Sequence, residues 1–252
     1  MIFETKKQLF DNFPMKDLGE PSTWVGTQVI RNANRTIHLH QNGYTNQILE
    51  RFNMTNCNPS RSPTSVERLD TTIKATSEEQ KTMQNIPYRQ ALGSLLWLTT
   101  NTRPDISYAV HQVARRTSDP RPEDWAAMKK IFRYLEGTKD LGITYKKSKS
   151  KMEMTCYSDS DWAGNSTRHT TACGIICIAG APVAWTVRLL KNMALSSFEG
   201  ELMAFSETGK LGTYILNLLN QIGIGSNIER PIPMLGDNDG ARLALTRNGH
   251  TK

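Results

Sequence analysis

MEMTCYSDSDWAGN, Met152 to Asn165, decides how the rest of this chain is read. Alternation places Met152, Met154 and Cys156 on one face of a strand and Tyr157, Asp159 and Asp161 on the other. One apolar face on a strand is ordinary. Two carboxylates two residues apart, on one face of a strand that reads as central, are not. Like charges held this close repel, so the pair calls for a proton or a cation. A divalent metal is the first expectation, and further ligands should come from the elements that flank this strand.

Downstream, a polar loop (Asn165–Thr171) leads to a meander of two strands, Ala172–Ile178 and Pro182–Val187, joined by a turn at Gly180–Pro182. Met193–Leu195 then runs into a helix that opens with Ser196 and Glu199 at capping-box spacing. The helix continues to about Ile222, with Leu211, Tyr214, Ile215, Leu218, Leu219 and Ile222 as its expected buried stripe. Gly223 and Gly225 end it. Ile232–Asp237 reads as a buried strand with Asp237 at its end, and a last helix runs from about Gly240 to Thr246. The order β-β-β-α-β-α implies a mixed sheet, in which a right-handed crossover helix sets the Asp237 strand parallel to the Asp159 strand.

That topology brings Asp159 and Asp237 to one sheet edge. Glu201 lies early in the crossover helix among Leu202, Met203 and Ala204, which turns it partly inward. Three carboxylates from three elements supply the oxygen donors that Mg²⁺ prefers. Two such ions roughly 3.5–4 Å apart can activate a water and stabilise the leaving oxygen in phosphodiester cleavage. Carboxylates at strand ends and first helical turns are also common as caps, which is the competing account of the same spacing.

Upstream, Glu4–Phe13 has helical spacing, and Thr23–Ile30 with Arg35–Gln41 reads as a hairpin turning at Asn32–Asn34. His38 and His40 share a strand face there, without an evident third ligand. Tyr44–Phe52 is a short amphipathic helix. Residues 55–84 are rich in Asn, Ser, Thr and Pro and read as a surface connection. Three helices follow: one around Leu92–Leu98, one from Asp105 to Arg115 and Arg116, and one opened by Pro122–Asp124 and stopped by Gly137. The third turns Trp125, Met128, Ile131, Phe132 and Leu135 inward and Lys129, Lys130 and Arg133 outward. Arg115, Arg116, Lys129, Lys130 and Arg133 are therefore candidates to hold a sugar–phosphate backbone, with a solvated basic face as the alternative. Leu141–Lys147 is a strand running into the linker Lys146–Lys151, the best candidate for a domain boundary.

The 252 residues carry a net charge of +7, and all of it resides in residues 1–150, where 22 Lys and Arg face 15 Asp and Glu; residues 151–252 hold nine of each. The first part can supply phosphate contacts while the second gathers carboxylates. Cys57, Cys156, Cys173 and Cys177 form no CxxC pair and read as free thiols in a reducing compartment. No apolar run is long enough to span a bilayer, and the charged start MIFETKK does not resemble a signal peptide. An intracellular, non-secreted, non-membrane protein is expected.

YSDSDWAGN (157–165), PVAW (182–185), ALSSFEGELMAFSE (194–207) and GDNDGARLAL (236–245) resemble the ribonuclease H domain of copia-type retrotransposon Pol polyproteins. MKDLGE (15–20), YTNQILERFNM (44–54), GSLLWLTTNTRPDISYAV (93–110) and WAAMKKIFRYLEGT (125–138) resemble the segment of such polyproteins that follows the polymerase active site. The resemblance implies an α/β (α+β overall) chain: a ribonuclease H-like mixed sheet with crossover helix, preceded by a palm-end hairpin and a helical thumb and connection region. It implies domains at 1–54 (palm end), 55–84 (linker), 85–150 (thumb and connection) and 151–252 (ribonuclease H-like). The implied reaction is endonucleolytic hydrolysis of the RNA strand of an RNA–DNA hybrid, with two Mg²⁺ ions or Mn²⁺ in their place. Asp159 would lie between the ions, with Glu201 and Asp237 each completing one coordination shell; Asp161 has no matching role. The implied partners are the hybrid duplex and the remainder of the polyprotein. The implied compartments are the cytoplasm, a virus-like particle or the nucleus.

The sequence also departs from the family. The adjacent Asp pair of the polymerase should lie before Met1 and a fourth acidic residue after Lys252, so this stretch is not expected to polymerise DNA, and its nuclease site reads as one carboxylate short. Phe198 and Gly200 stand where the family has Thr and Ala, and a helical Gly costs ~1 kcal/mol relative to Ala. Leu189 and Leu190 replace more polar residues and are expected to be exposed. A catalytically inactive relic that at most binds nucleic acid is the alternative reading.

Overall fold

The computed structural model describes residues 2–64, 69–147, 151–164 and 166–246. Met1, residues 65–68 of the polar stretch, 148–150 of the Lys146–Lys151 linker, Asn165 and 247–252 with the final GHTK lie outside the described residues. Among the described residues helices make up 44% and strands 18%, which gives the expected α+β class.

The first sheet differs from the expected hairpin. After α1 (Ile2–Asn12), the segment read as one strand is broken at Val25 and Gly26, where φ is +47° and +75°. The chain therefore turns back, and β1 (Thr23–Trp24) pairs antiparallel with β2 (Thr27–Arg31). β3 (Ile37–His40) pairs with β2, and β4 (Ile143–Tyr145) pairs with the far edge of β3, Ile37 opposite Tyr145. The expected strand at Leu141–Lys147 thus belongs to the first sheet, in the order β1-β2-β3-β4. The His38 and His40 rings stack at 5.2 Å, and His38 Nδ1 lies 2.8 Å from Thr144 Oγ1 on β4.

α2 (Asn42–Arg51) is followed by a helix within the stretch read as a connection, α3 (Ser77–Met83). Its start is a reciprocal cap: Thr76 Oγ1 accepts from the Glu79 amide and the Glu79 carboxylate accepts from the Thr76 amide. α4 (Tyr88–Asn101), α5 (Ser107–Ala114) and α6 (Pro122–Glu136) form the helical core. Ile48 and Leu49 of α2 are buried in the same cluster as Leu95, Leu98, Ile131, Phe132 and Leu135. Each such side chain contributes roughly 1.5–3 kcal/mol on burial. Between α4 and α5 the guanidinium of Arg103, 2% exposed, forks onto Asp105 and donates to the Thr138 carbonyl.

The second sheet has the expected topology. β5 (Met154–Asp161), β6 (Thr171–Ile178) and β7 (Ala181–Leu189) form the meander, and β8 (Met234–Leu235) lies parallel to β5, in the order β7-β6-β5-β8. β5 is therefore internal, as its pattern required. β8 is only two residues long, so Asp237 lies just past it rather than within it. Between β7 and β8 runs α7 (Ser197–Gln221), packed on the Met154, Cys156 and Ile176 face, and α8 (Asp239–Thr246) follows β8.

The buried stripe of α7 is Gly200, Glu201, Ala204, Phe205, Thr208 and Gly212, continued by Leu211, Ile215 and Leu219, whereas Tyr214, Leu218 and Ile222 face outward at 64%, 43% and 50% exposure. The helix meets the sheet through small and polar residues, which a hydropathy stripe does not select. Leu190 is buried, packed with Ala172 and Ala204, instead of exposed.

The helical core rests against β7 and the end of β5. Trp185 Nε1 donates to the Thr99 carbonyl at 2.6 Å, and the Tyr145 hydroxyl donates to the Pro182 carbonyl at 2.7 Å.

Candidate metal centre

The period-2 alternation of β5 places Asp159 on the open face of the sheet, exposed, while Ser158 and Ser160 point towards α7. Ser196 starts α7: its Oγ accepts from the Glu199 amide at 3.1 Å. The return bond of the expected capping box runs elsewhere, because the Glu199 carboxylate accepts from the Leu195 amide. Glu201 follows in the next turn and is only 5% exposed. Asp237 enters from the turn between β8 and α8.

Asp159, Glu201 and Asp237 each offer a carboxylate oxygen within 4.8 Å of the others. They come from a strand, a helix and a strand-following turn, so the tertiary fold alone brings them together. Glu201 Oε1 accepts from Ser160 Oγ at 2.8 Å, and its Oε2 is buried without a protein partner. Burial pushes the Glu201 carboxyl above its ordinary value of 4.5; the Ser160 hydrogen bond opposes this, and the charges of Asp159 and Asp237 add to it. A buried carboxylate that has one oxygen without a donor and lies beside two further carboxylates is the arrangement a cation relieves. The all-oxygen donor set suits a hard divalent ion such as Mg²⁺ or Mn²⁺.

An open groove leads to this cluster, lined by Tyr157, Asp159, Cys173, Ile175, Leu235 and Asp237. Cys173 stands opposite Asp159 across the β5–β6 ladder. Burial, then Asp159 and Asp161, push its thiol up to about 12, so it stays protonated at neutral pH. Asp161, the second member of the pair first considered, lies outside the cluster; its Oδ2 accepts from the Tyr108 hydroxyl of α5 at 2.7 Å. Gly200 also has a local reason. A Cβ there would lie 3.3 Å from Ser160 Oγ and from Thr170 Cγ2, so glycine lets the first turn of α7 approach the strand end that presents Ser160 to Glu201.

The five candidate cations separate. Lys129 and Arg133 are exposed and Lys130 is half-buried on α6, and Arg133 Nε donates to the Asn58 carbonyl at 2.6 Å. Arg115 is half-buried, with Nη2 donating to Thr71 Oγ1. Arg116 is 5% exposed and paired through Nε with Asp124 Oδ2 at 3.0 Å, so its expected phosphate contact is withdrawn. This charge at the end of α5 serves the interior instead. Ser160 and Tyr108 were not singled out from the sequence. Ser160 faces the helix side of a strand whose acidic face drew attention, and Tyr108 lies 53 residues from its partner.

Residues 1–66 match the family model described as reverse transcriptase (RNA-dependent DNA polymerase). The chain is 34% identical over 228 residues, 89% of its length, to the retrovirus-related Pol polyprotein from transposon TNT 1-94 of Nicotiana tabacum, covering 17% of that protein. It is 31% identical over 96% of its length to the Pol polyprotein from transposon RE2 of Arabidopsis thaliana, covering 16% of it. It is also 34% identical to an uncharacterized mitochondrial protein of Arabidopsis thaliana, over 80% of this chain and 81% of that one. The chain spans about a sixth of the length of the polyproteins it matches. No solved structure matches it significantly. Among the described residues no helix is long and apolar enough to cross a membrane.

Proposed function

This chain belongs to the copia-type retrotransposon Pol polyproteins, and on that premise we propose that its second sheet is a metal-dependent nuclease that hydrolyses the RNA strand of RNA–DNA hybrids. The observation that carries the reading is the convergence of Asp159, Glu201 and Asp237 within 4.8 Å, with Glu201 Oε2 buried and unpaired. A bound divalent cation supplies charge neutralisation at a phosphate oxygen and lowers the pKa of a water. Asp159, exposed at the mouth of the groove, is the residue that faces both the cluster and an incoming phosphate. Glu201, fixed by Ser160, and Asp237 hold the cluster from its two sides. The groove floor of Tyr157, Ile175 and Leu235 leaves space for a strand of nucleic acid beside the carboxylates. Lys129 and Arg133, exposed on α6, are candidates for phosphate contacts of the sequence-independent kind. Domain boundaries near residues 54, 84 and 150 belong to the same proposal.

Cleavage of an end-labelled RNA–DNA hybrid by the full chain tests the reading, with single-stranded RNA, duplex RNA and duplex DNA alongside. The expected result is Mg²⁺-dependent cutting of the hybrid's RNA strand alone, abolished by Asp159→Asn. Salt-sensitive binding of the hybrid without cleavage at any Mg²⁺ or Mn²⁺ concentration would overturn the nuclease and leave a nucleic-acid-binding relic.

A further inference from the structure

Asp161 lies two residues beyond Asp159 on the same face of β5, outside the carboxylate cluster. Its surroundings hold it firmly. The Tyr108 hydroxyl donates to Oδ2 at 2.7 Å across the junction with the helical core. The chain beyond folds back over the same carboxylate: Ala163 has φ +49°, and a Cβ added at buried Gly164 would lie 2.0 Å from either Asp161 oxygen. The loop is tied further on as well. Trp162 Nε1 donates to the Ala194 carbonyl at 3.0 Å, just before the Ser196 cap of the helix that carries Glu201. Ser166 Oγ accepts from the Thr71 amide, while Thr71 accepts from Arg115 and Arg116 at the end of α5.

Tyr108 of the helical core and the Thr71 loop thus grip the segment between β5 and β6, which Trp162 ties to the residues that precede the Glu201 helix. We propose that Tyr108 is a positioning residue for the carboxylate cluster: its hydroxyl fixes Asp161, and through the end of β5 and the Trp162–Ala194 tie it sets the separation of Asp159 from Glu201. The helical core is then part of the metal centre. This inference rests on the metal-site reading of the preceding subsection. Groups that orient ligands from outside the coordination shell commonly influence metal affinity strongly.

The test is Mn²⁺ binding to the full chain, followed by water-proton relaxation, for the unaltered protein, Tyr108→Phe and Tyr145→Phe. Tyr145→Phe removes a hydroxyl from the contact between the two sheets, the 2.7 Å bond from β4 to the Pro182 carbonyl of β7, away from the carboxylates. The expected result is Mn²⁺ binding weakened about tenfold, the lower end for groups outside the coordination shell, in Tyr108→Phe and unchanged in Tyr145→Phe. Asp161→Asn keeps an acceptor for the Tyr108 hydroxyl and should stay nearer the unaltered chain than Asp161→Ala. Equal binding by Tyr108→Phe and the unaltered chain overturns the inference alone, as does equal weakening in both tyrosine variants. Absence of saturable Mn²⁺ binding by the unaltered chain overturns the metal site and this inference with it.

Discussion

Glu201 is the most buried carboxylate of the cluster. Its side chain is buried beside Asp159 and Asp237, one oxygen is served by Ser160, and the other has no donor. In the absence of metal this is an unfavourable arrangement, and its pH dependence has a definite sign. The carboxyl is raised above 4.5 in the folded chain, so the fold binds that proton more tightly than the unfolded chain does. Its contribution to stability is therefore best below 4.5 and declines as pH rises through the raised value. Glu201→Gln keeps the acceptor for Ser160 and gives the orphaned position a donor. Metal-free Glu201→Gln should be more stable than the unaltered chain at pH 7 by on the order of 1 kcal/mol, about 2–4 °C in Tm, and the gain should vanish near pH 4. Calorimetry at the two pH values checks this, and a destabilised variant at pH 7 would contradict it.

At the scale of elements, the sequence disclosed what is local and periodic. The two faces of β5, the cap at Ser196 and the parallel return of β8 follow from alternation, a capping serine and the crossover rule, and these alone bring Asp159, Glu201 and Asp237 towards one edge. The rest depended on contacts that no local pattern carries. The Val25–Gly26 turn divides an apparently continuous strand, and α3 is hidden in a polar stretch whose Thr76 and Glu79 make a cap. Tyr214, Leu218 and Ile222 follow helical spacing yet lie on the outer side, because α7 approaches β5 and β6 through Ala204, Thr208 and Gly212. Gly212 is a point of close approach: an added Cβ would stand 3.1 Å from Cys156 Sγ and 3.6 Å from Ile176 Cδ1. Gly212→Val should therefore push α7 off the sheet at a cost of about 1–3 kcal/mol, despite the better helix propensity of valine. A lower urea midpoint with an unchanged slope is the expected signature; a midpoint equal to that of the unaltered chain would show that the helix does not approach so closely.

The whole molecule has separate apolar clusters, one in the helices and others beneath and beside the second sheet, joined by polar contacts at Tyr108, Trp185, Tyr145 and Thr71. The basic excess of residues 1–150 is partly internal to this design. Arg103 and Arg116 are buried and tie loops to helices, so net charge alone overstated the surface available to phosphate. Asp124→Ala would leave the Arg116 guanidinium buried without its carboxylate and should cost about 3–5 kcal/mol, read from chemical denaturation. A loss below ~1 kcal/mol would show that Arg116 reaches water instead.

The central claim is that three carboxylates from three elements form one cation site. Titration of the metal-free chain with Mn²⁺ at pH 7, followed by electron paramagnetic resonance of the free ion, addresses it most directly. Saturable binding is expected, lost in Asp159→Asn and in Asp237→Asn and weakening as pH falls through the raised Glu201 value. Undiminished binding in both variants, or no saturable binding by the unaltered chain, would contradict it.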